Sequence, residues 1–489
     1  VASLRRDATD GVQAVQVDVN HPDEISTLFD PAIVYAKGSR LLRMLEQYVG
    51  PEAFRDGLRE YFATHAYGNT AETDLWQALS SSSGKDIAQL MTAWITQPGY
   101  PVLHVSEDGM KQEQFFIGDH EVSERTWPIP LGANDDSLPP LLESQESLMP
   151  IDASVRFNVG DSAHFITHYP ASTVDSILQD TEEGHVDPIG RLQFLHEQTL
   201  LARGGLIGSA GLIPIIDAYR NEETESVWDI MSLAVGELKK FVEADETAEP
   251  ALKSFSRQLA GSQFARLGWD MADGEPESDT KLRATIIGMM IYGEDSEVLA
   301  QARALAEGDV ASINPELRSL VLGAAIRHAE DNNLFNRLLG LHGTTQSAEL
   351  QQDIAAGLTS TKDAVQADTL LSMLMDQKKI RTQDVARWFV YLVRNRYSRD
   401  AAWQWLQDNW SWIETTFGGD KSYDDYPRYA ATGLSTPEKL AEYVSFFAPL
   451  REQKSLTRVI DMGIREISAR VDLIEADREA VRQALLQRQ

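Results

Sequence analysis

The sequence predicts a mainly α-helical protein that carries a small β-sandwich between two helical parts. Three observations point there. Apolar residues recur every three to four positions from Asp30 to about Gln97, the period falls to roughly 2 after Pro101, and from about Ser176 to Gln489 strand signals give way to successive helical stripes. The corresponding domains are 1–100, 101–175 and 176–489, in keeping with roughly 150 residues per domain.

In the first part, Leu41, Met44, Leu45 and Tyr48 line one helix, Gly50-Pro51 breaks it, and Phe54, Leu58, Tyr61 and Phe62 line the next. Ile87, Leu90, Met91 and Trp94 form a third stripe, which Pro98-Gly99-Tyr100-Pro101 stops. All three read as core faces. Val102–Val105 and Gln114–Ile117, joined by an Asp108-Gly109 turn, then read as a hairpin. Trp127–Leu131, Val155–Val159 and His164–Tyr169 continue the strand spacing to about Ala171. In the last part, Trp228, Met231, Val235, Leu238 and Val242 line one helix, and Leu317, Leu320, Val321, Ala324 and Ala325 another. Asn314-Pro315-Glu316 and Thr436-Pro437-Glu438 put a capping side chain ahead of a proline at the first helical position. Stacked helix pairs in a solenoid or bowl are the expected result, with no period that assigns a repeat family.

Composition removes several function classes. The 44 Lys and Arg against 75 Asp and Glu give a net charge of −31, which repels phosphate backbones and anionic lipid, so no nucleic-acid partner is expected. No apolar run approaches the ~18 residues of a membrane helix, so no membrane insertion is expected. Cysteine is absent, which excludes disulfides, thiolate nucleophiles and Cys-type zinc sites, and accords with a cytoplasmic location. The opening Val1-Ala2-Ser3-Leu4-Arg5-Arg6 has no initiator Met and no signal-peptide pattern, and reads as the middle of a longer protein.

Self-contained catalytic motifs are missing. A zinc protease helix needs two His one turn apart with a Glu between them, and H-E-x-x-H does not occur. His164 and His168 have the spacing but sit in strand-like sequence, where such positions do not converge. His196-Glu197 lacks a second His and reads as a surface helix dipeptide, and the ten His show no cluster. No G-x-S-x-G elbow is present, and the glycines at 204, 205, 208 and 211 read as helix-breaking turns. Trp388, Trp403, Trp405, Trp410 and Trp412, at helical spacing, read as core and not as a ligand-stacking platform.

One stretch stands apart. Phe29-Asp30-Pro31-Ala32-Ile33-Val34-Tyr35-Ala36-Lys37-Gly38-Ser39-Arg40 leads into the helix ending at Val49-Gly50. It resembles the aminopeptidase N family of zinc exopeptidases, which carries a Tyr-x-Lys-Gly at the head of a helix. Phe54–Tyr61, Asn69–Leu79 with Asp74-Leu75-Trp76, and Trp94–Val102 are similar to the same family in the same order. Phe157–Gly160, His164–Tyr169, Trp403–Trp412 and Leu434–Phe447 extend the likeness over nearly the whole chain.

The resemblance implies a fold made of the tail of a thermolysin-like catalytic domain, a β-sandwich and a superhelical C-terminal domain. It also implies hydrolysis of the first peptide bond of peptides, with Tyr35 as catalytic residue giving its phenolic hydrogen to the oxyanion. A phenol is a neutral donor, suited to that task. Read without its flanking matches, Tyr35 is a side chain filling a pocket at the head of the helix. The family's zinc ligands, its general base and the segment that holds the substrate amino group lie upstream of Tyr35 and do not occur here. Zinc is therefore expected in the full-length enzyme and no cofactor bound to this chain, which is expected to be inactive alone. Thr27 and Asp30 face the cleft by the same resemblance but receive no role, and substrate-binding residues stay unassigned. A rival reading is a non-catalytic helical scaffold that binds a partner protein, whose identity the sequence does not give.

Overall fold

Glycine and proline set the helix boundaries near the start of the chain. A computed structural model describes residues 1–19 and 25–488, with every side chain among them except those of 26 and 27. After α1 (Ala2–Asp7) and α2 (Ile25–Leu28), a single π-helical turn, Ala32–Lys37, runs directly into α3 (Gly38–Val49). Gly50, at φ +91°, ends α3, and Pro51 opens α4 (Pro51–Thr64). The next helices are α5 (Glu72–Ser83) and α6 (Ile87–Thr96), the latter capped by Asp86, which accepts the Gln89 N–H at 2.9 Å.

Leu41, Met44 and Leu45 of α3 and all four stripe residues of α6 are buried. In α4 the expected stripe is not a core face: Phe54, Leu58 and Tyr61 are half-buried and Phe62 is 67% exposed. The close contact of α4 is at one edge of the stripe, at Gly57 beside Phe54 and Tyr61, where a Cβ would come within 2.8 Å of the Leu79 side chain on α5. The backbone approach that glycine allows centres the covered face on that edge and leaves Phe62, at the other edge, exposed.

The strands are β1 (Pro101–Ser106), β2 (Gly109–Gln114), β3 (Ile129–Pro130), β4 (Leu141–Leu142), β5 (Glu146–Leu148) and β6 (Ile166–His168). Four make a sheet in the order β5-β2-β1-β6, with β1 and β6 parallel, and β3 pairs with β4. The β1–β2 hairpin closes with Ser106 opposite Gly109, so the two turn residues are Glu107 and Asp108. Phe115–Ile117 and Val155–Val159, expected as strands, are irregular. Side-chain amides hold irregular backbone nearby. The buried Gln112 amide accepts the Trp127 N–H at 2.8 Å and donates to the Trp127 and Ser144 carbonyls at 2.8 and 2.9 Å. The buried Asn158 amide brackets Ala163 in the same way.

Two helices, α7 (Ala171–Glu182) and α8 (Pro188–Arg203), complete the first compact unit, Val1–Ile207. The second unit, Gly208–Gln489, is helical throughout its described residues and ends in the 33-residue helix Lys454–Leu486. Trp228, Met231, Val235, Leu238 and Val242 are buried along Glu225–Val242, and Leu317, Val321, Ala324 and Ala325 along Pro315–Arg327, where Leu320 is half-buried. Asn314 caps Glu316 N–H at 3.0 Å and Thr436 caps Lys439 N–H at 3.3 Å. The protein is thus mainly α with small sheets. Among the described residues no helix is long and apolar enough to cross a membrane.

Candidate functional site

The π turn exposes Tyr35. Its extra residue shows in the bond from Gly38 N–H to the Ile33 carbonyl, five positions back, and such insertions recur at functional sites. Ile33 and Lys37, four apart, share the buried face, so Tyr35, two positions from each, faces outward. It is 64% exposed, touches Phe29 edge to face at 5.7 Å, and its hydroxyl has no hydrogen-bond partner among the described residues. Asp30, by contrast, is buried: it accepts the Arg6 Nε–H at 2.6 Å and the Ala32 N–H at 3.0 Å, which caps the turn. The Thr27 side chain lies outside the described residues.

Lys37 anchors the turn from below. Fully buried, it donates to the Gly99 carbonyl at 2.9 Å and pairs with the Asp7 carboxylate at 2.9 Å. Asp7, equally buried, also accepts the Gly99 N–H at 3.0 Å and His164 Nε2–H at 3.0 Å. Burial pushes the Asp7 carboxyl up, but Lys37 and His164 outweigh it and hold the group below its ordinary range. Burial keeps His164 neutral down to about 4, so the imidazole serves Asp7 as a hydrogen-bond donor and Lys37 supplies the charge. The lysine of Tyr-x-Lys-Gly and the glycine of Gln97-Pro98-Gly99-Tyr100, distant in sequence, therefore meet through Asp7, which no motif marked. Arg40 on α3 adds a fork onto Asp161 at 2.7 and 2.8 Å.

The other sequence candidates separate. His164 bonds Asp7, whereas His168 bonds His104, a partner 64 positions away that the parallel β1–β6 pairing supplies. His196 and Glu197, expected on the surface, are buried, because α8 is enclosed on all sides from Gln193 to Ala202. Glu197 accepts the Thr167 N–H at 3.0 Å and the Gln193 amide at 2.9 Å, and burial pushes its carboxyl up to about 8. It borders a cavity of about 520 Å³ shared with Arg156 and Tyr169. Trp388, Trp403, Trp405 and Trp410 are buried and Trp412 half-buried, which makes them packing residues. In the helical unit a cavity of about 290 Å³ gathers Lys239, Arg327, Lys362 and Arg396 with Glu249 and Glu294.

Residues 1–94 match the peptidase family M1 domain, and residues 154–469 match the ERAP1-like C-terminal domain. The chain belongs to the aminopeptidase N family. It is 37% identical over 499 residues to aminopeptidase N of Lactococcus lactis subsp. lactis, covering 99% of this chain and 58% of that protein. Aminopeptidase N of Lactobacillus helveticus is 35% identical, with 99% and 59% covered. Aminopeptidase M1-B of Oryza sativa subsp. japonica is 26% identical, with 98% and 57% covered. The chain thus spans less than two thirds of the length of these aminopeptidases. Among the described residues, no three His, Asp or Glu side chains gather where they could hold a metal ion, so the residues present do not make up a catalytic zinc centre.

Proposed function

We propose that this chain is the C-terminal part of a zinc-dependent aminopeptidase that removes single residues from the amino terminus of peptides, and that it is inactive by itself. In this reading residues 1–100 are the tail of a thermolysin-like catalytic domain, 101–175 a β-sandwich, and 176–489 a superhelical domain. The family membership and the partial coverage of the relatives support it. In this reading zinc, its ligands and the general base come from sequence outside this chain.

The observation that carries the proposal is the exposed Tyr35 hydroxyl, without a hydrogen-bond partner among the described residues, on a turn that Lys37 and Asp7 hold from beneath. Its role is to donate a hydrogen bond to the oxyanion that forms as the scissile carbonyl becomes tetrahedral, an interaction stronger in the transition state than with the substrate. A donor aimed by a buried scaffold needs no reorganisation during the reaction.

The test compares this chain with a longer product that carries an H-E-x-x-H segment ahead of it, using aminoacyl-anilide cleavage and zinc content. The longer product should hold zinc and cleave, and lose activity to a chelator. This chain should not cleave. Turnover by this chain alone would overturn the proposal.

A further inference from the structure

The four-stranded sheet brings together two histidines that the peptidase reading leaves unused. The parallel register of β1 and β6 sets His104 beside His168, with their Nδ1 atoms 3.1 Å apart and the rings at 77° to one another. We propose that His104 and His168 form a two-imidazole site for a divalent transition-metal ion, of the Zn²⁺, Ni²⁺ and Cu²⁺ class, that clips β6 to β1.

The spacing is that of two ligands on one ion. Nitrogens bound at roughly 2.0–2.1 Å lie about 2.9 Å apart at a right angle and about 3.4 Å apart at the tetrahedral angle, and the observed separation falls between. Imidazole suits all three ions. Both rings are half-buried, so an ion can reach them and water can complete its coordination.

A second observation concerns the far side of His104. Its Nε2 is buried without a hydrogen-bond partner, and the nearest carboxylate is Glu113 Oε2 at 3.7 Å. Between the metal-free rings only one Nδ1 carries the shared proton. Placing it on His168 leaves His104 with its hydrogen on Nε2, facing Glu113, the tautomer a metal ligand needs. Binding then requires His168 alone to move its proton from Nδ1 to Nε2, which frees both Nδ1 lone pairs with no net gain or loss of protons. Glu113 stands where the outer carboxylate of a metal-bound imidazole stands. Lys111, 2.5 Å from the other Glu113 oxygen and opposite His104 in the β1–β2 register, is the competing cation.

The experiment titrates the 489-residue chain with Ni²⁺ and with Zn²⁺ by calorimetry, and records the Cu²⁺ electron paramagnetic resonance spectrum. His104→Gln and His168→Gln should each weaken binding by roughly tenfold or more, Glu113→Gln should weaken it less, and His120→Gln, at an exposed histidine outside the strands, should leave it unchanged. The Cu²⁺ signal should show coupling to two imidazole nitrogens in the unaltered chain and to one in each His variant. Equal binding by the unaltered chain and both variants would overturn the proposal. So would a spectrum of the unaltered chain with a single coupled nitrogen, a readout that stands even if the variants fold poorly.

Discussion

Asp7→Asn takes the negative charge away from Lys37 while keeping the size of the side chain. The ammonium then sits in a fully buried site with only carbonyl partners, at 2.9 Å from Gly99 O and 3.5 Å from Gln97 O. The Asn oxygen can still accept the Gly99 N–H, but its amide group faces two other donors, Lys37 Nζ and His164 Nε2. Breaking a buried pair from one side costs about 3–5 kcal/mol, because the surviving charge stays desolvated. For a unit of this size that lowers the midpoint by roughly 2–4 °C per kcal/mol, or about 6–20 °C. Lys37→Met combined with Asp7→Asn removes both charges and should be less damaged than Asp7→Asn alone. Calorimetry gives the loss, and hydrogen exchange of the segments around α1 and the π turn locates it. A loss below about 1 kcal/mol, or a double variant at least as unstable as the single one, would refute the idea that a buried ion pair holds the turn.

Glu197 sets a pH dependence of known sign. Its carboxyl is raised from 4.5 to about 8 in the folded chain, so it favours folding fully below 4.5, and that contribution is lost as pH rises through 8. Between those limits the slope is about 1.4 kcal/mol per pH unit, and Glu197→Gln should remove it from denaturation curves taken across the range. Gln112→Leu strips the hydrogen bonds from both backbone groups of Trp127 and from the Ser144 carbonyl. Each stranded group costs roughly 1–3 kcal/mol, so a loss of about 3 kcal/mol or more is expected in chemical denaturation.

Helices with a wide apolar stripe were the most legible part of the sequence. Trp228 to Val242 and Ile87 to Trp94 are buried as their spacing predicts, since a stripe of that width has no favourable place except against other apolar surface. The α4 stripe is less deeply covered than its spacing predicts, because the helix packs closest at Gly57, on one edge of the stripe, and Phe62 on the other edge stays exposed. Strands were less legible. The Gln112 and Asn158 side chains bond irregular backbone, and nothing in a local hydrophobic pattern announces such an amide contact. At the candidate site, Tyr35 was found by resemblance, whereas its support was not: Asp7 lies 30 residues before Lys37 in an unmarked stretch and His164 far beyond, and only the folded chain makes them neighbours. The pairing of His104 with His168 was hidden for the same reason, since the register of parallel strands joined by a long connection cannot be read from either strand alone.

The role of Tyr35 is decided by the turnover of Tyr35→Phe, made in a longer protein that carries this chain behind a zinc-binding segment. The substitution removes one hydroxyl that has no hydrogen-bond partner among the described residues, so stability and zinc content should stay unchanged. The kcat should fall by roughly 10²–10³ with little change in KM, the signature of an interaction made in the transition state. A kcat within about twofold of the unaltered enzyme, at equal zinc content, would contradict it.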